Sequence, residues 1–81
     1  MTDARQRLVD CFAAVFPDLT PTDISRASTA TVTAWDSLAS VTLVSLIEEE
    51  FNVQIGLDEL EELTSFELVL AVVNDLLAAN G

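Results

Sequence analysis

Between Asp36 and Asn52 the apolar residues recur at a spacing that only an α-helix can use. With Leu38 as origin and about 100° per residue, Ala39, Leu43, Val44, Leu46, Ile47 and Phe51 fall on one broad arc, the face suited to a core. Ser37, Thr42, Ser45, Glu48, Glu49 and Asn52 fall on the opposite arc, the face suited to water. Asp36 is a preferred N-cap residue, whose carboxylate can accept from the unpaired first-turn amides. Trp35, just ahead of the cap, is placed to pack on the opening turn and set the angle at which the chain enters it. Leu38 and Val41 also land on the wet side. Single exposed apolar residues are ordinary, but beside an acidic rim and a first-turn hydroxyl these two outline a small docking surface.

The rest of the chain must cover that helix with little material. At 81 residues, a single domain over 1–81 is expected, near the lower size for an unassisted core. Leu8, Cys11, Phe12, Val15 and Phe16 repeat at helical spacing, which predicts a first helix from about Asp3 to Phe16, stopped by Pro17. Cys11 lies inside that stripe and reads as a small buried hydrophobe. A long Thr-, Ser- and Ala-rich connection follows, from Pro17 to Ala34. Within it Thr20-Pro21-Thr22-Asp23 has the form of a capped single turn, with Thr20 as N-cap, Pro21 at the first helical position and Asp23 at the capping-box site. Leu19, Ile24 and Val32 are expected to pin the connection to the core. Its length fits a chain that must travel the bundle before the next helix runs back.

Beyond Phe51, residues 52–56 read as a turn, with Gly56 free to take a positive φ. Leu57, Leu60 and Leu63 recur every third residue among acids, which predicts a short third helix. Thr64 and Glu67 match a capping box for the last helix. Val69, Val72, Val73, Leu76 and Leu77 form its buried stripe, and Asn80-Gly81 ends it. The expected fold is all-α: a four-helix bundle of three longer helices and one short third helix, with a long loop between helices one and two.

Charge and missing residue types exclude several functions. Fourteen acids face three arginines, Arg5, Arg7 and Arg26, for a net charge of −11. Nucleic acids and anionic membranes both require positive charge, so neither is expected as a partner. Basic protein partners fit better, with encounter rates that fall as salt rises; a solvated acidic surface that only aids solubility fits the charge equally well. With no histidine and one cysteine, neither a zinc site nor a Ser-His or Cys-His pair can form. The two glycines, Gly56 and Gly81, make no phosphate-cradling loop. Asp58, Glu59, Glu61 and Glu62 lack calcium-loop spacing. No metal site and no catalytic residues are expected. There is no apolar run of about eighteen residues and no basic-then-apolar leader, so a cytoplasmic location is expected.

Asp36-Ser37-Leu38, followed by Val41, Leu43, Val44, Leu46 and Glu48-Glu49-Glu50-Phe51, resembles the second helix of acyl carrier and peptidyl carrier proteins. The tripeptide alone is weak; joined to the downstream spacing in a chain of this size it is specific. The likeness extends roughly from Leu8 to Leu77 and implies the same four-helix architecture. It implies that Ser37 carries 4′-phosphopantetheine, whose thiol holds an acyl or aminoacyl group as a thioester. An anion there would sit at the positive end of the helix dipole.

The resemblance further implies that Asp36 helps a phosphopantetheinyl transferase engage the serine. Leu38 and Val41 would give partners apolar contacts, along a face shared with Thr42 and Ser45. Glu48 and Glu49 would pair with partner arginines or lysines. Other implied partners are a loading acyltransferase or ligase and downstream synthase or tailoring enzymes with basic docking surfaces, met by a monomer. A slot for the cargo between helices two and three and the last helix would involve Leu46, Ile47, Ile55, Leu60, Leu63 and Leu68, for each of which core packing is an equally good reading.

Fatty-acid-synthesis carriers usually have acids where this chain has Ala39 and Thr42, and often methionine in place of Ser45. Trp35 before the Asp-Ser-Leu motif looks more like stand-alone carriers of polyketide or nonribosomal peptide pathways. The alternatives are a fatty-acid carrier and, from another class, a cofactor-free acidic module that binds a basic partner.

Overall fold

The computed structural model describes residues 3–80, apart from the side chains of Leu57 and Asn80. Five helices follow one another: α1 (Ala4–Val15), α2 (Pro21–Ser25), α3 (Ser37–Phe51), α4 (Leu57–Leu60) and α5 (Phe66–Asn80). The architecture is the expected all-α bundle with three longer helices. The expected short third helix is α4; the capped turn of the long connection is a second short helix, α2. Gly81, expected at the end of the last helix, lies outside the described residues.

Three of the starts follow from local chemistry. Asp3 caps α1 by accepting from the Gln6 amide at 2.8 Å. Thr20 and Asp23 form a complete reciprocal capping box on α2, with Pro21 at its opening, as the sequence predicts. Asp36 caps α3, its Oδ1 accepting from the Ala39 amide at 2.8 Å.

Two expectations about backbone chemistry are corrected. The positive φ after α3 falls on Asn52 (φ 54°), not on Gly56, which sits at φ −74°, ψ 160° as the residue before α4. Asparagine tolerates the left-handed conformation at a helix C-terminus, and from there its N–H donates to the Glu48 carbonyl. Gly56 is thereby left extended. The second correction concerns the last helix, whose cap is Ser65, one residue later than Thr64: the Leu68 amide donates to Ser65 Oγ at 3.2 Å. Thr64 and Ser65 are held extended by the long connection. Thr29 N–H donates to the Thr64 carbonyl and Phe66 N–H to the Ala27 carbonyl, with an antiparallel bridge between Ser28 and Ser65. Thr64 therefore cannot open a helix, and α5 begins at Phe66.

Among the described residues the core is one cluster of sixteen buried apolar side chains centred on α1, which packs against α2, α3 and α5. Phe12 is fully buried and joins three parts of the chain. Its ring meets Trp35 edge-on at 5.3 Å and Phe66 at 5.2 Å, with Phe16 at 6.2 Å. Ile24 is buried, and Leu19 and Val32 pack against the cluster, so these three residues do pin the connection. Two cation–π contacts bind the edges. Arg7 lies over Phe51 at 4.5 Å and pairs with the Glu50 carboxylate at 3.0 Å. Arg5 lies over Phe66 at 5.3 Å and reaches Glu67 at 3.8 Å.

Cys11 is buried. Burial chiefly, then the Glu50 and Asp10 charges, pushes its thiol up to about 11, against a smaller opposing effect of Arg7. Only a thiolate is a good nucleophile, so Cys11 is expected to resist iodoacetamide in the folded protein at pH 8 and to react once urea unfolds it. Equal rates in both states, read by mass spectrometry, would contradict this burial.

Candidate functional site

The site is assembled at the head of α3. Trp35 is buried at 4% exposure, wedged against Phe12 and Phe16. Its indole Nε1 donates to Ser40 Oγ at 3.0 Å. This hydrogen bond, which the sequence did not suggest, ties the residue before the cap to the second turn of the helix. The direction of α3 is therefore fixed by packing from behind and by a polar contact from the side.

Ser37 stands on that fixed platform as the first residue of α3 and is exposed. The other serines show why its position matters. Ser25 Oγ donates to the Thr22 carbonyl, Ser28 is bonded to Thr31, Ser40 is held by Trp35, and Ser65 caps α5. Among the serines of the described residues only Ser37 and Ser45 have no such engagement. Ser45 is in the middle of α3, where the amides are spent on the helix itself. Ser37 is at the start, where unpaired amides and the positive dipole end favour an attached phosphate. These residues fit a phosphodiester group.

From this corner a stripe runs along one side of α3. Leu38 is 76% exposed and Val41 52% exposed, and Thr42, Ser45 and Glu49 are exposed beside them. Their spacing of three and four residues makes them neighbours on the helix surface. Asp36, also exposed, stands at the head of the stripe. Glu48 is less free than its place on the wheel suggests: it is half-buried, and its Oε2 accepts from the Ile55 amide at 2.8 Å. That carboxylate holds the turn after α3 in place, so Glu49 is the more available acid. Thr42 Oγ1 donates back to the Leu38 carbonyl at 3.2 Å.

The residues expected near a cargo slot are dispersed. Ile47 and Leu63 are buried in the core, Leu46, Ile55 and Leu60 are half-buried, and Leu68 is exposed at 47%. Leu46 lines a groove against α1 with Asp10, Cys11 and Ala14. Ile55 lines a different, polar groove with Ser45, Glu49 and Gln54.

Comparison with curated proteins finds no match. The family profile described as a phosphopantetheine attachment site matches residues 6–73, well over half of the chain, and spans α1 to the middle of α5. Members of that family carry 4′-phosphopantetheine covalently on a serine, interact with phosphopantetheinyl transferases and with partner enzymes, and are generally not catalysts themselves. With its all-α bundle and an unengaged serine at the head of a capped helix, this chain belongs to the phosphopantetheine-attachment family of carrier proteins.

Proposed function

We propose that Ser37 is the attachment point and that the protein is a carrier of acyl or aminoacyl groups, working in polyketide or nonribosomal peptide-type biosynthesis in the cytoplasm as a monomer. The observation that carries this reading is the exposed, unengaged Ser37 hydroxyl on a helix start whose cap and direction are fixed by Asp36 and Trp35. When bound, the prosthetic group supplies a terminal thiol that holds the cargo as a thioester. The chain supplies the platform. Asp36 keeps the first turn in register, the open amides stabilise the phosphodiester charge, and α3 offers partners a fixed surface.

Leu38 and Val41 would give partners, the transferase among them, a shallow apolar contact, flanked by Thr42, Ser45, Glu48 and Glu49. Surface ion pairs are each worth only about 0–1 kcal/mol, so the acids steer partners more than they hold them. The pathway assignment is supported by Ala39 and Thr42 in place of acids, by Ser45 in place of methionine and by Trp35 ahead of the motif.

Incubation with coenzyme A and a broad-specificity phosphopantetheinyl transferase should raise the intact mass by one phosphopantetheine. Folded protein that gains no mass with several such transferases would favour the cofactor-free acidic module. Val41→Asp should leave the far-ultraviolet circular dichroism unchanged and slow modification on the order of tenfold, as loss of about 1.4 kcal/mol of apolar contact implies. Unfolding by that substitution would mean the side of α3 has been misassigned.

A further inference from the structure

A second surface feature lies next to Ser37. The last turn of α1 and the end of the long connection enclose a groove of about 380 Å³, inside the range of roughly 300–1,000 Å³ typical of small-molecule clefts. Val15, Phe16, Leu19 and Val32 give it apolar lining, with Asp18 as its one charged residue, and Thr33 and Ala34 bring it to within three residues of Ser37. Three residues of chain span at most about 11 Å, so the Ala34 end of the groove lies within that distance of the attachment point. We propose that the prosthetic arm, once on Ser37, folds back into this groove, which takes the uncharged pantetheine portion while the phosphodiester stays at the helix start. This rests on Ser37 as the attachment point.

Reach and chemistry both favour it. From the serine oxygen to the thiol the arm is roughly fourteen bonds long, about 17 Å when extended at the advance per bond of an extended polypeptide. Val32 is five residues before Ser37, at most about 18 Å along the chain, and tight turns shorten the path: Trp35 N–H donates to the Val32 carbonyl and Asp36 N–H to the Ala34 carbonyl. The thiol can therefore reach Leu19 and Val32. A second hollow shares Leu19, Thr31 and Val32 and continues to Asp23 and Arg26, leaving room for cargo beyond the sulfur.

The competing surfaces suit the arm less well. The groove beside Ile55 is bordered by Glu48, Glu49, Asn52 and Gln54, and its near end at Ser45 is eight residues along α3, about 12 Å from Ser37. Ile47 and Leu63, expected between the helices, are already packed in the core. The uncharged methylene segments of the arm's far half find apolar walls in the loop-side groove.

The test compares amide and methyl NMR spectra of the apo protein and the phosphopantetheine-loaded protein. Attachment alone perturbs residues near 37, so the informative signals are those on α1 and just after it, remote in sequence. Shifts at Val15, Phe16 and Leu19, with Overhauser contacts from the arm's terminal methylene groups, next to the thiol, to Leu19 and Val32, are expected. In loaded Thr33→Phe, whose exposed position lets a ring fill the groove mouth, and in loaded Val32→Asp, those contacts should vanish. Perturbations confined to residues 35–42, or contacts along the groove from Ser45 to Gly56, would overturn the inference and leave the functional reading standing. Failure of the folded chain to take up the arm at all would overturn both.

Discussion

Replacing Phe12 with alanine is expected to take away most of the stability of this fold. The ring is fully buried and is the shared contact of Trp35, Phe66 and Phe16. It thus links α1 to the platform under Ser37 and to the first turn of α5. A buried Phe→Ala change costs about 3–5 kcal/mol through lost transfer energy and the cavity left behind. A domain of this size has only about 4–12 kcal/mol in total, and no disulfide supports it. At about 4–8 °C per kcal/mol for small domains, the melting temperature should fall by on the order of 20–30 °C. Thermal unfolding followed by circular dichroism reads this directly. A change under about 1 kcal/mol would mean that the aromatic cluster is not the centre of the core.

The second large effect is all-or-none. Ser37→Ala should abolish uptake of the phosphopantetheine arm while leaving the melting temperature within a few degrees. The side chain is exposed and makes no hydrogen bond that the fold depends on; the cap is supplied by Asp36. Fold and modification should therefore separate cleanly at this residue, whereas at Phe12 both fail together.

What could be read from the sequence, and what could not, follows from the range of the interactions. The helical period of residues 8–16 and 38–51, the caps at Asp36 and Thr20, and the outward placement of Leu38 and Val41 depend on neighbours within a turn or two, and all are found in the structure. The misread positions depend on distant partners. Thr64 fits a capping box by spacing, yet the bridge between Ser28 and Ser65 holds it extended. Gly56 is the usual residue for a positive φ, but Asn52 takes that conformation as α3 ends against Glu48. Phe66 could have been recognised as core, since 66, 69 and 73 share a helical face and all three are fully buried. The bond from Trp35 to Ser40 and the Arg7–Glu50 pair had no signal of their own in the sequence. The site shows the same division: the Asp-Ser-Leu head and its exposed stripe were legible, whereas the groove beside it depends on how the long connection folds onto α1.

The proposed function requires that one hydroxyl, that of Ser37, accepts the arm. Fragmentation mass spectrometry of the protein after reaction with coenzyme A and a transferase tests it most directly. The whole added mass is expected on Ser37 and none on Ser40, Ser45 or any other serine, with no addition to Ser37→Ala. Mass located on another residue, or retained in Ser37→Ala, would contradict it.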